Sequence, residues 1–129
     1  MSDAIERALA AQRRAAEAGF DWPEAAGVWD KLEEELAELR AAAQESPQRE
    51  QEEWGDVMFT LLNLARHLGV DPAAALCAAT ERFCARYAVV EAALDELPPR
   101  GDPRRLEAME RCWQSAKRDE RGRSPRRLR

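Results

Sequence analysis

Three steps of Ser or Asp followed by Pro punctuate this chain, at Ser46-Pro47, Asp71-Pro72 and Asp102-Pro103. Each offers a side chain that can cap a helix N-terminus, then a residue whose missing N–H is harmless at the first helical position. Stops are equally marked: Gly19, Gly69 and Gly101 follow periodic segments, and Pro98-Pro99 cannot continue a helix. Cutting the 129 residues at these points predicts five helices, over about 3–18, 23–44, 47–68, 72–97 and 103–120. Ala and Leu abound, β-branched residues are scarce and 35% of residues are charged, so the expected fold is an all-α helical bundle. The length suits one domain, expected over 1–120, with a basic tail at 121–129 read as a solvated end.

Charge narrows the function classes. The net charge is −5, but "RGRSPRRLR" at the end carries five Arg and no acid, leaving 15 basic against 25 acidic side chains before it. An acidic body repels a phosphate backbone, which argues against nucleic acid as a partner. A small anionic substrate would need a metal ion or local Lys and Arg. No run of 18 apolar residues and no signal-peptide pattern occurs, so the chain is expected to be cytoplasmic with no membrane partner. Its Cys77, Cys84 and Cys112 form no metal-binding pair and are expected to be reduced core fillers.

Two apolar seams are predicted, Trp29, Leu32, Leu36 and Leu39 on the second helix and Leu76, Phe83, Tyr87, Val90, Leu94 and Leu97 on the fourth. The third helix is apolar around most of its circumference. Its remaining sector, about 80° wide at 100° per residue, holds Glu53, Asp56, Thr60, Asn63 and His67. That stripe contains no Lys, and Arg49 and Arg66 are read as lying elsewhere on the helix. Carboxylates beside a core are costly unless a cation, a basic side chain or water offsets them. Asp21 is a candidate cap for the second helix, and His67 is expected to bond locally. Mid-helix Gly55 points to the close approach of a helix or ligand.

On the second helix Lys31, Glu34, Glu35 and Glu38 flank the seam, whereas Glu33 points into solvent. Glu35 with Glu38, and Glu53 with Asp56, are i,i+3 pairs close enough to share an ion. An antiparallel hairpin around "AQESP" would turn the pairs toward each other. Four carboxylates at one spot suit a hard divalent cation, Mg²⁺ or Mn²⁺ rather than zinc.

The words "GFDWPEAAGVWDKLEEELAEL", "EEWGDVMFTLLNLARHLGVDPAAAL", "ATERFCARYAVVE" and "LEAMERCWQSAK" resemble the MazG family of nucleoside triphosphate pyrophosphohydrolases, within the all-α NTP pyrophosphatase superfamily. The likeness runs from about Ile5 to Glu120 and is greatest to the C-terminal catalytic domain of two-domain members. It implies Glu35, Glu38, Glu53 and Asp56 as Mg²⁺ ligands and Glu34 as a supporting carboxylate or base. It further implies Lys31, Arg82 and Arg86 on phosphates, Asn63 near metal and sugar, and Trp113 and Lys117 near the nucleotide. Thr80 stands where the family often has Asn.

The reaction so implied is hydrolysis between the α and β phosphates, giving a monophosphate and pyrophosphate, with metal-activated water attacking in line. Relatives built as helical dimers imply a homodimer, or a higher homo-oligomer, that completes the core, with sites near the interface. Two other readings remain open: the same fold acting on dUTP or phosphoribosyl-ATP, or a non-enzymatic helical interaction protein. Trp113 also has the spacing of a core residue, and Trp22 and Trp29 of packing residues, although Phe20 and Trp22 could wall a base pocket. Arg82 and Arg86 could instead pair with acids such as Glu81.

Overall fold

The computed structural model describes residues 2–123, and all regular structure among them is helical. The order is α1 (Ser2–Glu17), α2 (Ala25–Ala42), α3 (Pro47–Leu68), α4 (Pro72–Ala92), a 3₁₀ turn (Leu94–Glu96) and α5 (Arg104–Arg123). Residues 124–129 of the basic tail lie outside the described residues. No described helix is long and apolar enough to cross a membrane.

The capping residues act as their chemistry suggests. Ser46 Oγ accepts from Arg49 N at 3.2 Å, Asp71 Oδ1 from Ala74 N at 3.1 Å and Asp102 Oδ1 from Arg104 N at 2.9 Å. At the far end of α3, Gly69 turns left-handed (φ 70°), which lets Val70 N reach back to Ala65 O at 2.9 Å. That is the bond that closes a helix when a residue without Cβ follows it.

Four boundaries move by two residues or more: α2 is shorter at both ends, α4 stops early, and α5 runs on to Arg123, into the first residues of the stretch read as a solvated tail. α2 starts at Ala25 rather than 23, because Glu24 is extended and Asp21 does not cap it. α4 stops at Ala92, five residues short of expectation. Asp95 and Glu96 would have placed acids at the negative end of the helix dipole, and Leu97, held extended before Pro98, cannot be helical.

The chain divides into two compact units, the first ending at Ala75 and the second starting at Leu76, inside α4. In the first, the four-residue connection 43–46 folds α3 back along α2, and α1 packs on α3. The core of this hairpin is Val28, Leu32, Val57 and Leu64, with Leu39 against it. The buried row on α2 therefore reads Val28, Leu32, Glu35 and Ala42, while Trp29 and Leu36, assigned to the seam from the sequence, are 48% and 47% exposed. Trp22 is also partly exposed, its ring against Gly27, where an added Cβ would meet Trp22 Cε3 at 2.8 Å. Among the described residues nothing lies within 4 Å of where a Cβ on Gly55 would be, so the expected close approach of another helix is not found there.

In the second unit Val90, Ala108 and Ala116 are buried. Of the fourth-helix seam, Val90 and Tyr87 turn inward, but Leu76 and Phe83 are exposed. Cys77 and Cys84 are exposed too, so they are not core fillers, and all three cysteines are free thiols.

Candidate metal centre

Of the polar stripe of α3, Glu53 and Thr60 are buried and Asn63 and His67 half-buried, while Asp56 is exposed. The buried row of α3 is Glu53, Val57, Thr60 and Leu64, which sets a carboxylate and a hydroxyl in register with the core. Thr60 satisfies its hydroxyl locally, donating to Asp56 O at 2.9 Å. Opposite, on α2, the i,i+7 continuation of Val28 is Glu35, 5% exposed like Glu53. The hairpin thus brings oxygens of Glu35, Glu38 and Glu53 within 4.8 Å of one another. Among the described residues this is the group of acidic or thiol side chains that could hold a metal.

Each buried carboxylate has one oxygen paired and one without a partner. Glu35 Oε1 is 3.0 Å from Lys31 Nζ and Glu53 Oε1 is 2.6 Å from Arg49 Nη2, whereas Oε2 of both residues is buried and unpartnered. A buried acceptor left so costs on the order of 1–3 kcal/mol, more when charged. Glu38, exposed, is the third member, and the charge on Glu35, then loss of water and the charge on Glu53, hold its carboxyl above the usual range. The Glu35 carboxylate in turn raises the Lys31 ammonium. Crowded anions whose oxygens lie within 4.8 Å of one another fit a hard cation by donor chemistry, since all donors are carboxylate oxygens.

Asp56 and Glu34 are exposed, and neither joins the three converging acids. Lys31 contributes directly, through Glu35. Asn63 is half-buried farther along α3, its Oδ1 accepting from Arg66 Nη2 at 2.6 Å. Arg82, Arg86, Trp113 and Lys117 belong to the second unit, where Arg86 Nε lies 3.0 Å from Glu120 Oε2 and the guanidinium sits 5.7 Å from the centre of the Trp113 ring. Phe83 packs on the same ring at 5.2 Å. Arg86 thus pairs with Glu120 and not with Glu81, while Arg82 and Glu81 are exposed.

Both arginines read as remote from the α3 stripe reach it. Arg49 holds Glu53 as well as Glu52, and Arg66 holds Asn63 together with Asp21 at 2.7 Å. The i,i+4 step from Arg49 to Glu53 and the i,i+3 step from Asn63 to Arg66 were the available signals. His67 bonds not locally but to Asp21 Oδ1, 46 positions away, at 3.0 Å. The buried Gln12, whose Nε2 donates to Phe59 O at 2.9 Å, carries no signal in the sequence.

Residues 3–82, which contain the whole α2–α3 hairpin, match the model of the family described as phosphoribosyl-ATP pyrophosphohydrolase. The chain belongs to this family. Among curated relatives, it is 38% identical over 121 residues to the nucleoside triphosphate pyrophosphohydrolase/pyrophosphatase MazG of Thermotoga maritima. That alignment covers 88% of this chain and 44% of the relative. It is also 38% identical over 120 residues to the nucleoside triphosphate pyrophosphohydrolase of Escherichia coli K12, covering 91% of this chain and 46% of that protein. The chain therefore spans less than half the length of the curated relatives it matches. The MazG resemblance carried by "GFDWPEAAGVWDKLEEELAEL" and "EEWGD" is borne out by these names.

Proposed function

We propose that the chain is a Mg²⁺-dependent nucleoside triphosphate pyrophosphohydrolase, with Mn²⁺ as a substitute, releasing a nucleoside monophosphate and pyrophosphate. The observation that carries this is the convergence of Glu35, Glu38 and Glu53 with two buried, unpartnered oxygens. The activity printed for the two relatives supports it. When bound, the cation supplies positive charge that binds phosphate oxygens and makes water a better nucleophile at neutral pH.

In this reading Glu35, Glu38 and Glu53 hold the cation, joined by Asp56 one turn along α3. Lys31, 3.0 Å from Glu35, orients that carboxylate and offers charge to a phosphate. Glu34, exposed on the next position, takes a proton from the attacking water. Asn63 serves the sugar. Arg82, Arg86, Trp113 and Lys117 are the second unit's candidates for substrate binding by their chemistry, three by charge that suits phosphate and Trp113 by a ring that suits a nucleotide.

A homodimer belongs to the same reading. Trp54, Met58 and Leu61, at i, i+4 and i+7 on α3, are 57%, 40% and 47% exposed, and half-exposed Leu36 of α2 lines one concavity with Trp54. A second copy of this chain would cover these apolar side chains.

A second substrate reading, phosphoribosyl-ATP, is favoured by the description of the matching family. The test is one panel of ribo- and deoxynucleoside triphosphates plus phosphoribosyl-ATP, with Mg²⁺, reading pyrophosphate separately from phosphate. Wild type is expected to release pyrophosphate, and Glu38→Gln and Asp56→Asn to lose at least about a hundredfold in kcat/KM. Wild type as inactive as the variants on every substrate would end the enzyme reading.

A further inference from the structure

In the first unit three donors meet on one carboxylate oxygen. Asp21 Oδ1, in the α1–α2 connection, accepts from Trp22 N at 2.8 Å, Arg66 Nη2 at 2.7 Å and His67 Nε2 at 3.0 Å. The side chains of Asp21 and Arg66 are 21% and 19% exposed, so the pair is largely shielded from water. It fastens the connection to α3 and fixes the guanidinium in place.

The same Nη2 makes a second bond, to Asn63 Oδ1 at 2.6 Å. That bond joins no two elements, because Asn63 and Arg66 stand a turn apart on one helix. What it fixes is the amide. A guanidinium carries donors only, so the amide atom facing it must be the oxygen, and turning the amide over would set N–H against N–H. Nδ2 is thereby directed away from Arg66, where among the described residues it is neither hydrogen-bonded nor buried. Half-buried Asn63 thus presents a donor in one orientation.

That donor lies on the polar stripe. Asp56, Thr60 and Asn63 lie within about 60° of one another and climb the helix by about 10 Å at the standard rise. Thr60 turns its hydroxyl proton onto Asp56 O, which leaves Asn63 Nδ2 as the free side-chain donor of these three. A nucleotide with its phosphates at the carboxylates runs its sugar along this stretch, and a sugar hydroxyl oxygen accepts from an amide N–H.

We propose that Arg66 is a positioning residue: by occupying Asn63 Oδ1 it holds the amide so that Nδ2 donates to a sugar hydroxyl oxygen of the substrate. This rests on the pyrophosphohydrolase reading and on the sugar role given there to Asn63. It adds the residue that orients the amide and the direction of the bond.

The experiment compares kcat and KM for the ribonucleoside triphosphate that wild type cleaves best and for its 2′,3′-dideoxy form, in wild type, Asn63→Asp, Arg66→Met and Asp21→Asn. Asn63→Asp keeps an acceptor for Arg66 and replaces Nδ2 by an oxygen. Arg66→Met frees the amide. Asp21→Asn weakens the fastening of the connection but keeps a carbonyl oxygen for Arg66, so it reports the effect of a looser fold alone. Wild type should prefer the hydroxylated substrate about tenfold, chiefly through KM, as one hydrogen bond gives. Asn63→Asp and Arg66→Met should bring the two substrates within about twofold, with kcat kept. Asp21→Asn should retain the wild-type preference although its melt is lower. No preference in wild type, a preference kept in Asn63→Asp or in Arg66→Met, or one lost in Asp21→Asn as fully as in Arg66→Met, would overturn the proposal. Folding of Arg66→Met is checked by its melt, and Asn63→Asp tests the donor with Arg66 unchanged. Side-chain amide NMR reads the orientation without turnover. The Asn63 Nδ2 resonances, identified by their loss in Asn63→Asp, should move toward those of a free Asn in Arg66→Met, and unmoved resonances end the proposal. If wild type releases no pyrophosphate, the enzyme reading fails, and ATP, GTP, CTP and UTP, then uncleaved, are added with Mg²⁺ to the labelled protein. A shift of the Asn63 amide in wild type that Arg66→Met lacks upholds the positioning, and no shift in wild type ends it.

Discussion

Glu35→Gln separates the cost of the acidic cluster from its use. In the metal-free protein Glu35 has one oxygen on Lys31, which is 40% exposed, and one buried without a partner. The substitution removes an ion pair worth under about 1 kcal/mol. It also removes a charge that repels Glu38 and Glu53, so the metal-free melting temperature should stay within about 4 °C of wild type. Binding of Mg²⁺ is another matter. At a free concentration about a hundredfold above Kd, a ligand specific for the folded state adds about 2.7 kcal/mol. For 129 residues an unfolding entropy of about 0.27 kcal/mol/K converts this into a rise of about 10 °C. If loss of one ligand weakens affinity about a hundredfold, the same concentration adds only about 0.4 kcal/mol, or 1–2 °C. Calorimetric melts with EDTA and with MgCl₂ at matched ionic strength measure both quantities. An equal upward shift in wild type and Glu35→Gln, or no shift in wild type, would refute the reasoning.

The Arg66 guanidinium, and then His67, hold the Asp21 carboxyl far below the usual carboxylate range. Its folded value is depressed, so its stabilisation is complete above the unfolded value of about 4 and is lost only as pH falls beneath it. Urea melts should therefore show a stability gap between wild type and Asp21→Asn that is constant from neutral pH to about 5 and narrows below about 4. Gly55→Ala should stabilise the metal-free protein by up to about 1 kcal/mol, because its Cβ meets open space in a helix interior. Gly27→Ala, by contrast, must displace the Trp22 ring and should shift tryptophan emission. Trp54→Glu should turn a dimer into a monomer in light scattering, and a monomeric wild type would remove the premise.

The helix starts were legible because Ser46, Asp71 and Asp102 act within three residues of themselves. The rotation of α2 about its axis was not. Trp29 and Leu36 are larger and more apolar than Val28, so a count of apolar residues selects their row. The row that packs contains Glu35, a charge at a core position, which such a count excludes. The exposure of Trp29 and Leu36 and the burial of Glu35 thus share one cause, whereas Leu32 and Leu39 pack as expected and Glu35, Glu38 and Glu53 meet as their spacing suggests. The contribution of Arg49 was masked in the same way, since an arginine in the first turn of a helix reads as a surface residue until Glu53 proves buried. Asp21, His67 and Arg66 meet across 45 and 46 positions, and a pairing at that separation has no local pattern.

The four-residue connection between α2 and α3 has a kinetic consequence. Glu38 and Glu53 are near neighbours in sequence, so their encounter belongs to the local, low-contact-order part of folding and occurs as the hairpin closes. Repulsion among the acids then burdens the transition state as well as the folded protein. A divalent cation should therefore quicken refolding, and not merely slow unfolding, so the folding limb of the chevron is where its effect should be greatest.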